Sequence, residues 1–164
     1  MNKIFAAQLD NLYEMLLFIR NQAEALGFDE IEISKIELAA EEALVNIISY
    51  GYPVEPGQID ISCEKSYKNS LKIRIKDDGV PFNPLTNCKE HNPEAPIEAR
   101  SVGGYGVFFI MKIMDEVEYK RENDHNILVM VKNITVDESI WLALILFQGF
   151  HEILVFLNFR QVFF

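Results

Sequence analysis

The sequence predicts an α/β two-layer sandwich: a mixed, mainly antiparallel sheet with helices on one face. Three observations point there. Apolar residues recur at helical spacing through positions 9–49, two-residue alternation takes over at 59–64 and 71–76, and one more helix and two strands follow before position 134. A chain of 164 residues, 49% hydrophobic and 24% charged, has the size of one domain and can bury a core.

Residues 3–7 read as a short edge strand. Leu9, Leu12, Leu16, Ile19, Ala23 and Leu26 then recur on one helical face, and Gly27 supplies a stop. Asp29 with Glu32, and Ser34 with Glu37, have the spacing of capping boxes that open a second helix. That helix is expected to reach about Ser49 and to end before Gly51-Tyr52-Pro53. Ile59, Ile61 and Cys63 alternate with Asp60, Ser62 and Glu64; Leu71, Ile73 and Ile75 alternate with Lys72, Arg74 and Lys76. The pair reads as a hairpin with one packed face and one polar face, and opposite charges on the polar face support its register. Its connection, residues 66–70, has turn composition.

Residues 80–100 carry Pro81, Pro84, Pro93 and Pro96 among Asn83, Asn87 and Asn92, and read as a loop. A loop this long inside a compact domain is usually functional, often a lid. A third helix is expected from about Val107 to Met114, then strands at 116–121 and 126–133. Ile127-Leu128-Val129-Met130-Val131 is apolar on both faces, which predicts a central strand. Residues 1–134 make the domain, and 135–164 form an apolar, helical C-terminal extension.

The formal net charge of -10 argues against nucleic acid and anionic membrane as partners and is compatible with a basic or mixed-charge protein. Cys63 and Cys88 are too few for a disulfide framework or zinc site, and Cys63 falls on the apolar side of its strand. The first residues lack the apolar run of a signal peptide, which makes the cytoplasm the default location. In the extension, the apolar run 140–147 breaks at Gln148, and His151 and Glu152 would sit near mid-membrane. A helix packing on the domain or on a second subunit, as in a homodimer, fits better than a span.

Three motifs carry chemistry. Glu42 and Asn46 lie one turn apart on the second helix, so both side chains share a face. That face is opposite the arc of Ile33, Ile36, Ala40, Ala43, Leu44 and Ile47. On its own it is equally the solvent face of an amphipathic helix, with Glu37 and Glu41 as a separate, ordinary exposed face. Small Ala39 leaves room beside the pair. Asp77-Asp78-Gly79 could be a simple turn, but Asp77 takes the inward parity of Ile73 and Ile75, which is costly unless it is paired or bound. An adenine amino group is one donor that would satisfy it. Gly103-Gly104-Tyr105-Gly106 before a helix suits an anion, yet it is neither a dinucleotide fingerprint nor a Walker loop.

In their order and spacing these pieces resemble the GHKL ATPase family with its Bergerat ATP-binding fold, and within it the small anti-sigma-factor serine kinases of the RsbW/SpoIIAB type. The resemblance spans roughly residues 3–133. It rests on Glu-Ala-x-x-Asn at 42–46, Tyr50-Gly51-Tyr52, Asp-x-Gly at 77–79, Gly-Gly-x-Gly at 103–106, and Ile110-Met111 through Met114-Asp115-Glu116-Val117. It departs at Pro81, where many members have a second Gly, and near Val102, where some carry an Arg; Arg100 lies close by.

The resemblance implies ATP with Mg²⁺, transferred to a serine or threonine of a STAS-domain anti-anti-sigma protein, and an alternative sigma factor held inactive. Asn46 would coordinate the metal and Glu42 would act as general base. Asp77 would accept from the adenine amino group, with Gly79 letting the base lie close. Gly103, Gly104, Tyr105 and Gly106 would wrap the phosphates. The alternative is a non-catalytic, nucleotide-dependent protein-binding switch.

Overall fold

The structure is a computed structural model that describes residues 1–66, 69–83, 85 and 105–134. Met1–Ile134 forms one compact unit. The expected extension at 135–164, Cys88, Arg100, Val102, Gly103, Gly104 and nearly all of the lid lie outside the described residues.

The two-layer sandwich is present. Strands β1 (Asn2–Ala6), β2 (Gln58–Ser66), β3 (Ser70–Asp77), β4 (Glu116–Glu122) and β5 (His125–Asn133) form one sheet in the order β1-β2-β3-β5-β4. Every described pairing is antiparallel. Helices α1 (Leu12–Leu26), α2 (Glu30–Gly51) and α3 (Tyr105–Ile113) complete it, with a 3-10 turn at Leu9–Asn11 where the first helix was expected to begin.

Local chemistry sets the element ends. Gly27 closes α1 in the left-handed region at φ 89°, so its amide and that of Phe28 return to the Glu24 and Ala23 carbonyls. Asp29 caps α2 by accepting from the Glu32 amide at 2.8 Å. The second capping box does not open a helix: Ser34 lies inside α2, and its hydroxyl donates to the Glu30 carbonyl at 2.8 Å. α2 also runs two residues beyond Ser49. The Gly51 carbonyl accepts from the Val80 amide at 2.9 Å, which holds the last turn, and the helix stops at Tyr52, the residue that Pro53 forces out of the helical region.

The hairpin register is the one charge patterning predicts: Asp60 opposes Lys76, Ser62 opposes Arg74, and Glu64 opposes Lys72, with a 3.4 Å ion pair in the last. Ile59, Ile61, Cys63, Leu71, Ile73 and Ile75 are buried against α1 and α2, in one core with Met15, Ile19, Ile36, Leu44, Ile110 and Met130. Burial pushes the Cys63 thiol up to about 12, so it behaves as a small apolar residue. β4 and β5 join through Asn123 and Asp124, both at positive φ, as a two-residue hairpin requires. β5 lies inside the sheet between β3 and β4, with Ile127, Leu128 and Met130 all buried.

Candidate active site

α2 carries the site along its length. Its core face is buried through Ile33, Ile36, Ala40, Ala43, Leu44 and Ile47, while Ala39, also fully buried, packs into the core. Ala39 therefore fills space instead of leaving it. Glu37 is not on an ordinary exposed face either: it accepts from Arg20 of α1 at 2.8 Å. Glu42 and Asn46 are half-buried rather than solvent-facing, because α3 packs along α2. Among the described residues neither side chain has a hydrogen-bond partner. Gly106, in the first turn of α3, sits so close to Glu42 that an added Cβ would overlap its Oε2. The start of α3, where unpaired backbone amides and the helix dipole favour negative charge, thus stands beside the Glu42 carboxylate.

The C-terminal end of α2 meets Asp77. Gly51 lies nine positions beyond Glu42, about 13 Å of rise. A side chain on Gly51 would come 3.8 Å from Asp77 Oδ1. Asp77 is 3% exposed, on the inward parity expected. Its Oδ1 accepts from the Gly79 amide at 2.9 Å and from Asn126 Nδ2 at 2.8 Å. Burial raises its pKa above the ordinary carboxylate value; those two hydrogen bonds pull it back only in part.

The neighbouring Asp78 has the opposite fate. Partial desolvation pushes it up, but hydrogen bonds from the Gln58 amide and the Tyr52 hydroxyl outweigh this and hold it below the usual range. Asp78 Oδ1 lies 2.8 Å from that hydroxyl and 3.1 Å from the amide. It staples the chain after α2 to the end of β3.

Gly79 has a structural reason beyond closeness to a ligand. A Cβ there would come within 2.6 Å of the Gly51 carbonyl oxygen and 2.9 Å of Asp77 Oδ1, so only glycine lets the strand end pack on the helix end. Beyond it, Phe82 packs on Tyr50, ring centroids 5.6 Å apart and planes tilted by 33°.

The structure thus places Gly106 beside Glu42 at the middle of α2, with Asn46 one turn further along the helix, and Asp77 and Gly79 together at its C-terminal end. Tyr105 opens α3; Gly103 and Gly104, immediately before it in the chain, are outside the described residues. The histidine kinase-like ATPase domain family matches residues 5–132, more than half of the chain. The chain belongs to that family. Within it, the chain is 30% identical over 129 residues to the serine-protein kinase RsbW of Oceanobacillus iheyensis, covering 76% of this chain and 79% of the relative. The RsbW of Bacillus thuringiensis is 28% identical over 111 residues, covering 65% and 68%. The anti-sigma kinase family inferred from the motifs is therefore the one found. In three dimensions the chain is similar to the RsbU and RsbW domains of Rv1364c from Mycobacterium tuberculosis, with TM-score 0.58, 12% identity, and coverage of 84% of this chain and 33% of that one. It also resembles the blue-light activated histidine kinase EL346 of Erythrobacter litoralis, with TM-score 0.52, 13% identity, and coverage of 78% and 43%. At such identities these two structures speak for the fold alone.

Sequence reasoning missed Asn126, Tyr119 and Arg121, which surround Asp77. Asn126 accepts from Tyr119 Oη at 2.8 Å and from Arg121 Nη1 at 2.9 Å. A signal existed: Asn126 is the polar residue immediately before the apolar run Ile127-Leu128-Val129-Met130-Val131. Its partner could not be read without the β3–β5 register.

Proposed function

We propose that this RsbW-family protein transfers the γ-phosphoryl group of ATP to a serine or threonine hydroxyl of a STAS-domain anti-anti-sigma protein, and holds an alternative sigma factor inactive. One observation carries the reading. A buried acceptor stands beside the C-terminal end of α2, and about 13 Å back along the helix Glu42, with no hydrogen-bond partner among the described residues, faces the start of α3, a separation comparable to that between a nucleotide's base and its terminal phosphate.

ATP lies along α2 with its amino group on Asp77, while Gly103, Gly104, Tyr105 and Gly106 wrap the phosphates. Mg²⁺, when bound, neutralises phosphate charge. Asn46 is the side chain suited to hold it, half-buried and without a hydrogen-bond partner among the described residues. Glu42 takes the hydroxyl proton as the oxygen–phosphorus bond forms and the β–γ bridging bond breaks, releasing ADP. The reaction belongs in the cytoplasm; among the described residues no helix is long and apolar enough to cross a membrane.

Incubation with γ-labelled ATP, Mg²⁺ and candidate STAS proteins tests the proposal. Label is expected in the partner. A nucleotide-dependent complex that acquires no label would replace the kinase with a binding switch.

A further inference from the structure

Asn126, the second residue of β5, lies directly opposite Asp77 in the sheet register and is 3% exposed. The polarity of its partners fixes the orientation of its amide. Arg121 Nη1 can only donate, so the atom 2.9 Å from it is the Asn126 oxygen. The Val80 carbonyl can only accept, so the atom 2.9 Å from it is the nitrogen. With both ends committed, Nδ2 has to donate to Asp77 Oδ1. The Gly79 amide donates to the same oxygen. Oδ1 is thereby saturated, and Oδ2, with no hydrogen-bond partner among the described residues, is left for a ligand.

We infer that Asn126 is the specificity-positioning residue of the nucleotide site: it locks Asp77 as an acceptor-only carboxylate, which selects a purine bearing an amino group at position 6 over one bearing an oxygen there. The inference rests on the reading that Asp77 meets the base. A protonated Asp77 would donate as well as accept, and an oxygen at position 6 would then bind as well as an amino group. Burial drives Asp77 toward that protonated form. Around it, Asp78 pushes the same way and Arg121 of β4 opposes; Tyr119 of β4 and Tyr52 after α2 feel its charge, and Asp60, Lys76 and His125 line the same pocket. Asn126 is the side chain whose hydrogen bond opposes burial most directly.

The test compares binding of ATP and inosine triphosphate, which carries oxygen at position 6, across pH. Asn126→Asp puts a second carboxyl against Asp77 Oδ1, and the pair shares a proton. The ATP-to-inosine-triphosphate affinity ratio is expected to fall at least tenfold. The pH below which ATP affinity declines is expected to move up relative to the unsubstituted protein, a comparison in which the nucleotide's own titration cancels. Asn126→Ala removes the donor without adding charge; it should shift the pH midpoint in the same direction and decides the matter if the Asp variant does not fold. An equal loss for both nucleotides, with ratio and midpoint unchanged, means a purely structural Asn126 and overturns the inference. Asp77→Asn is the control. If it lowers the ratio while the Asn126 variants keep it, the inference alone fails. If it leaves the ratio unchanged, the base-binding reading of Asp77 fails and takes the inference with it.

Discussion

The middle of α2 and its C-terminal end are built on opposite principles. At the base end Asp77 is buried and one of its oxygens is already saturated, with Asn126, Tyr119 and Arg121 behind it. At mid-helix, where the proposed phosphate site lies, Glu42 and Asn46 are half-buried and, among the described residues, have no hydrogen-bond partner. A preorganised end holds its ligand group without rearranging, whereas an unpaired carboxylate keeps its lone pairs for a proton that arrives only with substrate. In the proposed function the contrast separates recognition from chemistry along one helix, and that separation can be broken experimentally.

The largest effect is expected at the chemical end. Glu42→Gln should lower single-turnover phosphoryl transfer by about 10²–10⁴-fold, the usual worth of a general base, with ATP affinity within about threefold of the original. If transfer and affinity fell together, the two ends would not be separable. Next comes the base end. Asp77→Asn should weaken ATP binding about 100-fold, ~2.7 kcal/mol by titration calorimetry, with transfer at saturating ATP changed far less. Because burial raises the Asp77 pKa, the carboxylate is lost on acidification sooner than an ordinary aspartate at about 3.9. ATP affinity should therefore be complete above the raised pKa and decline as pH falls through it, and Asp77→Asn should abolish that dependence.

Gly106→Ala sharpens the comparison by moving one atom group only. The new Cβ claims the position of the Glu42 carboxylate, whose flexible side chain can swing away. Transfer should drop about 10- to 100-fold through misplacement, with ATP still bound. The smallest effect belongs to a region outside the comparison. Glu64→Ala removes an exposed cross-strand ion pair with Lys72 and should change stability by only about 0.2–1 kcal/mol in urea unfolding, without altering nucleotide affinity.

Legibility followed the range of the interactions. The Asp29 cap, the Gly27 stop and the polar face of the hairpin depend on residues close in sequence or on a simple alternation, and each is where the pattern puts it. The end of α2 was misread because the Gly51 carbonyl is held by Val80, a contact the helix sequence does not contain. Glu42 and Asn46 could be chosen by spacing, but their half-burial required α3 across them. Ala39 and Glu37 look like free surface on a helical wheel and are claimed by the core and by Arg20. Asn126 was hidden for the same reason: its meaning lies in a partner 49 residues away.

The central claim is that one nucleotide spans Asp77 and Glu42. A crystal structure of the protein with Mg²⁺ and a non-hydrolysable ATP analogue tests it most directly. The position-6 amino group is predicted within hydrogen-bond distance of Asp77 Oδ2, and the γ-phosphate beside Glu42 and the start of α3. An analogue bound elsewhere, or with its base at the Glu42 end, would contradict the account.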